Sequence, residues 1–177
     1  YGIPKNVEII LEALEILNSR GGTVFNALFV GVGEDGKREL LEKANDLRID
    51  KDLFKVISNV EHRMVPDLMT SCQYLVFPYP YVKGIEGSFP TKLLEYASVG
   101  CPIIASDTPI SRQIFTEKEI SFYKSLDPIS LADTFSKISI NPDLTNKKTF
   151  AARELASRFS YEARVRKIID FLEISPS

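Results

Sequence analysis

The sequence predicts an α/β fold, a doubly wound parallel sheet, and three observations carry that prediction. Short, continuously apolar stretches such as Ala27 to Gly31 (ALFVG) read as strands covered on both faces. Between them lie segments with apolar residues three and four positions apart, the signature of amphipathic helices. Strands separated by helices need crossover connections, which makes them parallel and places helices on both faces.

Each element follows in order. Val7, Ile10, Leu11, Leu14 and Leu17 form a helical stripe that Gly21 and Gly22 end. The strand Ala27 to Gly31 runs through Gly31-Val32-Gly33 into a charged helix from Lys37 to Leu47. Next come a strand at Phe54 to Ile57, a helix around Met64 to Ser71, a strand at Tyr74 to Phe77, a helix at Thr91 to Val99 and a strand at Pro102 to Ala105. A short helix near Ser111, a strand at Ile120 to Tyr123 and a helix from Ser130 to Ile138 continue the alternation. The rest reads as helix only, Lys147 to Phe159 and Tyr161 to Leu172, with Ser160 as an N-cap and Glu162 close behind it. No repeat or linker divides the chain, so residues 1–177 are expected to form one domain. Tyr1-Gly2-Ile3-Pro4 leads straight into a helix, whereas a doubly wound sheet usually starts with a strand, so a first strand is expected to be missing.

Composition narrows the function classes. Apolar residues make up 44%, charged residues 26%, and the formal net charge is −2 with both signs interspersed. Such a chain is globular, and nucleic acid is not expected as a partner. Cys72 and Cys101 lie in apolar surroundings without metal-ligand spacing and read as reduced buried thiols, which favours the cytoplasm. No apolar run reaches the roughly 20 residues of a membrane span.

Gly31-Val-Gly33-Glu-Asp-Gly36 matches a dinucleotide-binding fingerprint. Two carboxylates, Glu34 and Asp35, occupy the turn that would cradle a pyrophosphate, and Asp50 and Asp52 precede the next strand instead of ending it. A tight turn is the better reading, and an NAD-dependent oxidoreductase rests on this match alone. His62, the single histidine, has no nucleophile or ligand cluster near it in sequence and reads as a loop residue. The arginines and lysine of the last helices, Arg153, Arg158, Arg164, Arg166 and Lys167, alternate with Glu154, Glu162 and Asp170; a solvated face is the first reading, attraction to anionic lipid the second.

The segment from Glu86 to Glu95 (EGSFPTKLLE) is the most informative. A glycine-containing loop enters a helix there, and the first-turn amides around Ser88 to Thr91 offer an anion site. Lys92 adds positive charge, and Glu95, one turn in, is placed to accept hydrogen bonds from sugar hydroxyls. An ordinary solvated helix start accounts for the same residue types.

Pro90 to Ser106 (PTKLLEYASVGCPIIAS) closely resembles the donor-site segment of group 1, or family 4, retaining glycosyltransferases of the GT-B type, where the pattern P-x-K-L-x-E-Y/A-x-x-x-G-x-P-V/I-V/I-A-S recurs. Lys5-Asn6, Leu28 to Gly33, Tyr74 to Pro78 and Phe159-Ser160-Tyr161 resemble further family motifs in the same order, so the likeness spans nearly the whole chain. It implies the Rossmann-like C-terminal half of such an enzyme. By this resemblance Glu95 binds the ribose of the donor and Lys5 its diphosphate. The loop of Glu86, Gly87, Ser88, Phe89, Pro90 and Thr91 supplies backbone donors to phosphate and sugar, with Lys92 beside it, and Asn59 and Val60 lie near the base. The family's two glutamates have seven residues between them, whereas eight separate Glu86 from Glu95, so Gly87 holds the expected position. Either the loop is one residue longer or this branch lacks the first glutamate; Glu86 is the one catalytic candidate.

The implied activity is transfer of a hexosyl group from a UDP- or GDP-linked sugar to an acceptor hydroxyl with retention, in polysaccharide or glycolipid synthesis. No cofactor and no metal are expected, because helix dipoles and basic side chains stabilise the leaving diphosphate. The expected partners are the nucleotide sugar and an N-terminal acceptor-binding domain missing from this chain, so the isolated chain is expected to be inactive. A cytoplasmic location, with peripheral association of the parent enzyme at the inner face of the membrane, fits that setting. A degenerate module that holds a nucleotide sugar without turnover is the alternative.

Overall fold

The computed structural model describes residues 6–21, 23–81, 83 and 89–173. It contains helices α1 (Ile9–Ser19), α2 (Glu34–Asp46), α3 (Val65–Thr70), α4 (Thr91–Val99), α5 (Pro109–Arg112), α6 (Pro128–Ser139), α7 (Pro142–Ser157) and α8 (Tyr161–Glu173). The strands are β1 (Ala27–Val30), β2 (Phe54–Ile57), β3 (Leu75–Phe77), β4 (Ile103–Asp107) and β5 (Ser121–Lys124). Every strand pair is parallel, as the crossover argument requires.

The sheet is in two pieces. Among the described residues β1 pairs with β2, and β3, β4 and β5 pair in that order, with no ladder joining the two sets. Helix α1 bridges them instead. Leu11 and Leu14 pack with Phe29 of β1 and with Leu40 and Ala44 of α2, whereas Ile9, Ala13 and Leu17 pack with Ile104, Tyr123 and Leu131. The wide apolar stripe of α1 therefore buries against both pieces, and each fully buried leucine contributes about 1.5–3 kcal/mol.

Alternation along the strands sorts the other face. Phe77, Ile103 and Ala105 point away from α1 and pack with Leu93 and Ala97 of α4 and Ala152 and Ala156 of α7. Met69 of α3, Leu75 and Cys101 extend that layer. Helices thus cover both faces of β3, β4 and β5, as a near-continuous apolar strand sequence demands.

Several helix boundaries differ from the sequence expectation because the caps lie earlier. Helix α2 starts at Glu34, so Glu34 and Asp35 sit in its first turn, where the amide dipoles favour negative charge. Helices α6 and α7 start at Pro128 and Pro142. Asp127 caps the first by accepting from the Ser130 amide at 3.0 Å, and Asn141 caps the second by accepting from the Leu144 amide at 3.2 Å. Ser160 caps α8 as expected, its Oγ accepting from the Ala163 amide at 3.1 Å. Bonding to its own amide and to the Ser160 side chain holds the Glu162 carboxyl below the usual range.

The glycines of the GxGxxG match serve the backbone. Gly31 has φ +73°, a left-handed conformation in which a side chain is strained, and a Cβ on Gly36 would lie 2.9 Å from Val32 Cγ1. Gly33 is extended and precedes α2. A tight turn with close helix packing is what the motif builds here.

Arg112 organises the carboxyl end of β4. Its guanidinium donates to Asp107 at 2.7 and 2.9 Å and to Glu117 at 2.6 and 2.7 Å, and it lies 3.7 Å from the Phe122 ring centroid. Hydrogen bonding to Arg112 holds Glu117 down, from an ordinary 4.5 to about 2, and lowers Asp107 as well. A carboxylate depressed in the folded state contributes stability above its unfolded pKa and loses it as pH falls through the folded pKa. The melting temperature is therefore expected to fall as pH drops from about 4.5 towards 2, and to fall less steeply in Arg112→Met. Parallel pH profiles for the two proteins would remove the network as the cause.

Candidate functional site

In an open α/β sheet, ligands bind outside the carboxyl ends of the strands, near the point where strand order reverses. Here that edge carries Ser58 to Val60 after β2, the segment leaving β3 at Pro78, and the start of α4. Those of the sequence-nominated residues that the structure describes fall on the same edge. Asn59 is exposed and Val60 half-buried in the loop after β2. Phe89 is exposed, Pro90 buried, and Thr91 opens α4. Lys5, Glu86, Gly87 and Ser88 lie outside the described residues.

Helix α4 is where sequence places its functional groups on a rigid element. Leu93 and Ala97 are buried, which turns Lys92 and Glu95 outward. Gly100 ends the helix with φ +75°, a C-cap conformation that suits glycine. Lys92 Nζ donates to Glu95 Oε2 at 2.6 Å, an i,i+3 pair with side chains 43% and 50% exposed. The same ammonium lies 6.0 Å from the Tyr96 ring centroid. A carboxylate and an ammonium thus stand side by side at the surface: Glu95 keeps acceptor capacity for a diol, and Lys92 keeps donors for an anion.

The first turn is partly closed on itself. The Thr91 amide donates to the Phe89 carbonyl at 2.8 Å and the Leu93 amide to that of Pro90 at 3.0 Å. The approach to α4 is braced by Phe89, whose ring centroid lies 6.0 Å from that of Phe159, just beyond α7.

His62 begins a short 3-10 turn, His62–Met64, before α3 and is exposed. Cys101 is buried and Cys72 half-buried, both free, and burial with the neighbouring Cys72 pushes the Cys101 thiol up. Among the described residues no cluster of three or more His, Cys, Asp or Glu side chains could hold a metal. No described helix is long and apolar enough to cross a membrane.

Helix α8 stands apart from the layers. Tyr161, Val165, Ile168, Ile169 and Leu172 recur at helical spacing, yet all five are exposed, Tyr161 at 84%. Tyr161, Val165 and Ile169 line a shallow surface depression with Glu162 and Arg166.

Known structures share this fold. HepE (Alr3699) of Anabaena, solved with UDP, superposes with a TM-score of 0.79 at 18% identity, over 96% of this chain and 45% of that one. Sucrose-phosphate synthase from Thermosynechococcus elongatus gives 0.79 at 18% identity, over 96% and 42%. The C-terminal domain of the group 1 glycosyl transferase LpcC from Francisella tularensis gives 0.69 at 16% identity, over 89% and 80%. The chain therefore spans less than half the length of the first two structures. No curated protein matches it at the level of sequence. The family described as "Glycosyl transferases group 1" matches residues 2–166, and with the Rossmann-like α/β architecture this places the chain in the group 1 glycosyltransferase family.

Proposed function

We propose that this chain is the donor-binding half of a retaining glycosyltransferase that moves a hexosyl group from a UDP- or GDP-linked sugar to an acceptor hydroxyl, in polysaccharide or glycolipid synthesis. The observation that carries the reading is the outward Lys92–Glu95 pair on the helix that follows β3, inside a family match to residues 2–166. Glu95 accepts from the ribose hydroxyls, and Lys92 with Lys5 neutralises the diphosphate. Asn59 and Val60 flank the base, and Gly87, Ser88, Phe89, Pro90 and Thr91 border phosphate and sugar. Glu86 is the candidate that contacts the transferred sugar.

Leaving-group stabilisation by fixed charges and dipoles needs no metal, and that is the mechanism proposed here. The exposed stripe of α8 supports a second, acceptor-binding domain as the partner of this one. On that account the isolated chain binds donor without turnover, and the whole enzyme works in the cytoplasm or peripherally at the membrane's inner face.

The test is calorimetric titration of the protein with UDP, GDP and NAD in turn. Saturable binding of one nucleoside diphosphate and none of NAD is expected. Folded full-length protein that binds neither UDP nor GDP would sink the proposal. A full-length protein that binds but gives no transfer with any acceptor would be the degenerate module.

A further inference from the structure

Strand β3 ends at Phe77 and is followed by Pro78, Tyr79 and Pro80. The ladder of β3 with β4 ends at the pairing of Phe77 with Ala105, and neither proline carries an amide hydrogen. A side chain takes over: the Ser106 hydroxyl, on β4 and fully buried, donates to the Tyr79 carbonyl. That bond fixes the chain at the point where it leaves the sheet for α4.

Tyr79 then packs against the cluster that holds α4. Its ring stacks on Phe77 with centroids 4.4 Å apart and planes 15° from parallel, and it packs with Tyr96 of α4 against the same core cluster. Burial above all, and next the Tyr79 phenol, push the Tyr96 hydroxyl up to about 12. Lys92 lies over the Tyr96 ring and holds Glu95. The core cluster that Tyr79 and Tyr96 share thus lies between a buried hydroxyl in the sheet and the two exposed charges.

We propose that Ser106 is a positioning residue of the donor site, setting the placement of Tyr79 and, through Tyr96, that of Lys92 and Glu95. The inference rests on the donor-site reading above. A net hydrogen bond of ordinary strength corresponds to a change in affinity of about 3- to 10-fold.

The experiment measures UDP and GDP binding and thermal stability for the full-length protein and for Ser106→Ala, Ser106→Cys and Ser111→Ala. Ser111 is a control of equal burial: its hydroxyl contacts that of Thr108 at 3.0 Å, outside the cluster that Tyr79 and Tyr96 share. Ser106→Ala is expected to weaken nucleotide binding about 3- to 10-fold, and Ser106→Cys, with a weaker donor of similar shape, by less. Ser111→Ala is expected to lose stability comparably and keep its affinity. Unchanged affinity in Ser106→Ala overturns the proposal. So does an equal loss in Ser111→Ala, which would make the effect one of stability alone. Should Ser106→Ala fail to fold, Ser106→Cys decides by the same comparison. If the unaltered protein binds neither nucleotide, the donor-site reading falls and this inference with it; binding that is insensitive to Ser106 removes this inference only.

Discussion

Replacing Leu93 by alanine is expected to cost about 2–5 kcal/mol of folding stability, towards the upper part of that range. Leu93 is fully buried at the centre of the cluster formed by Phe77, Ala97, Ile103, Ala105, Phe115, Ile120, Ala152 and Ala156. Four of those eight neighbours are alanines, so α4, β4 and α7 already approach backbone to backbone. Short side chains on rigid elements cannot swing into the vacated space, and the residual cavity adds its own term to the lost transfer energy. For a domain of this size, each kcal/mol shifts the midpoint by about 2–4 °C, so a drop of roughly 10 °C is the expected reading. Val24→Ala, at a side chain 69% exposed, is the control and should move the midpoint little. A loss below about 1 kcal/mol for Leu93→Ala would mean that the cluster repacks, contrary to the rigidity argued here.

β1 was readable because a strand covered in a parallel sheet is apolar throughout, β2 because Phe54, Val56 and Ile57 leave only Lys55 polar, and α4 because Leu93 and Ala97 are spaced for one face while Gly100 supplies its stop. The beginnings of α2, α6 and α7 were set too late. In α6 and α7 the signal was present as an Asp or Asn cap followed by proline, Asp127-Pro128 and Asn141-Pro142, a local stereochemical cue that apolar periodicity does not register. In α2 the acidic first turn lies ahead of the apolar stripe, although Glu34 and Asp35 suit a helix N-terminus.

Other features had no local trace. The division of the sheet into β1–β2 and β3–β4–β5 depends on which edges meet, and the bridging role of α1 on contacts with β4 and β5 far along the chain. The hydrogen bond from Ser106 to Tyr79 joins residues 27 positions apart. In the candidate site, Lys92 and Glu95 were nominated separately. Their i,i+3 spacing was itself the available sign that they would pair.

That pairing shapes the second large expected effect, loss of nucleotide binding on Glu95→Ala. An ionised carboxylate accepting from the two ribose hydroxyls makes charge-assisted hydrogen bonds, each contributing about 1.5–3 kcal/mol. Losing even one of them corresponds to a weakening of about 10- to 100-fold. Alanine also releases Lys92, whose ammonium is held at 2.6 Å by Glu95, and so removes its fixed direction towards the diphosphate. Glu95→Gln keeps a neutral acceptor of the same length and is expected to fall between the two, while Lys92→Met should weaken a diphosphate more than a nucleoside. Folding is not at stake in any of the three, because an exposed i,i+3 pair contributes at most about 0.5 kcal/mol. A change in affinity measured with an unchanged melting temperature therefore reports the site itself. If Glu95→Ala binds UDP or GDP as tightly as the unaltered protein, the ribose contact lies elsewhere, and the Lys92–Glu95 pair is no more than a solvated turn of helix.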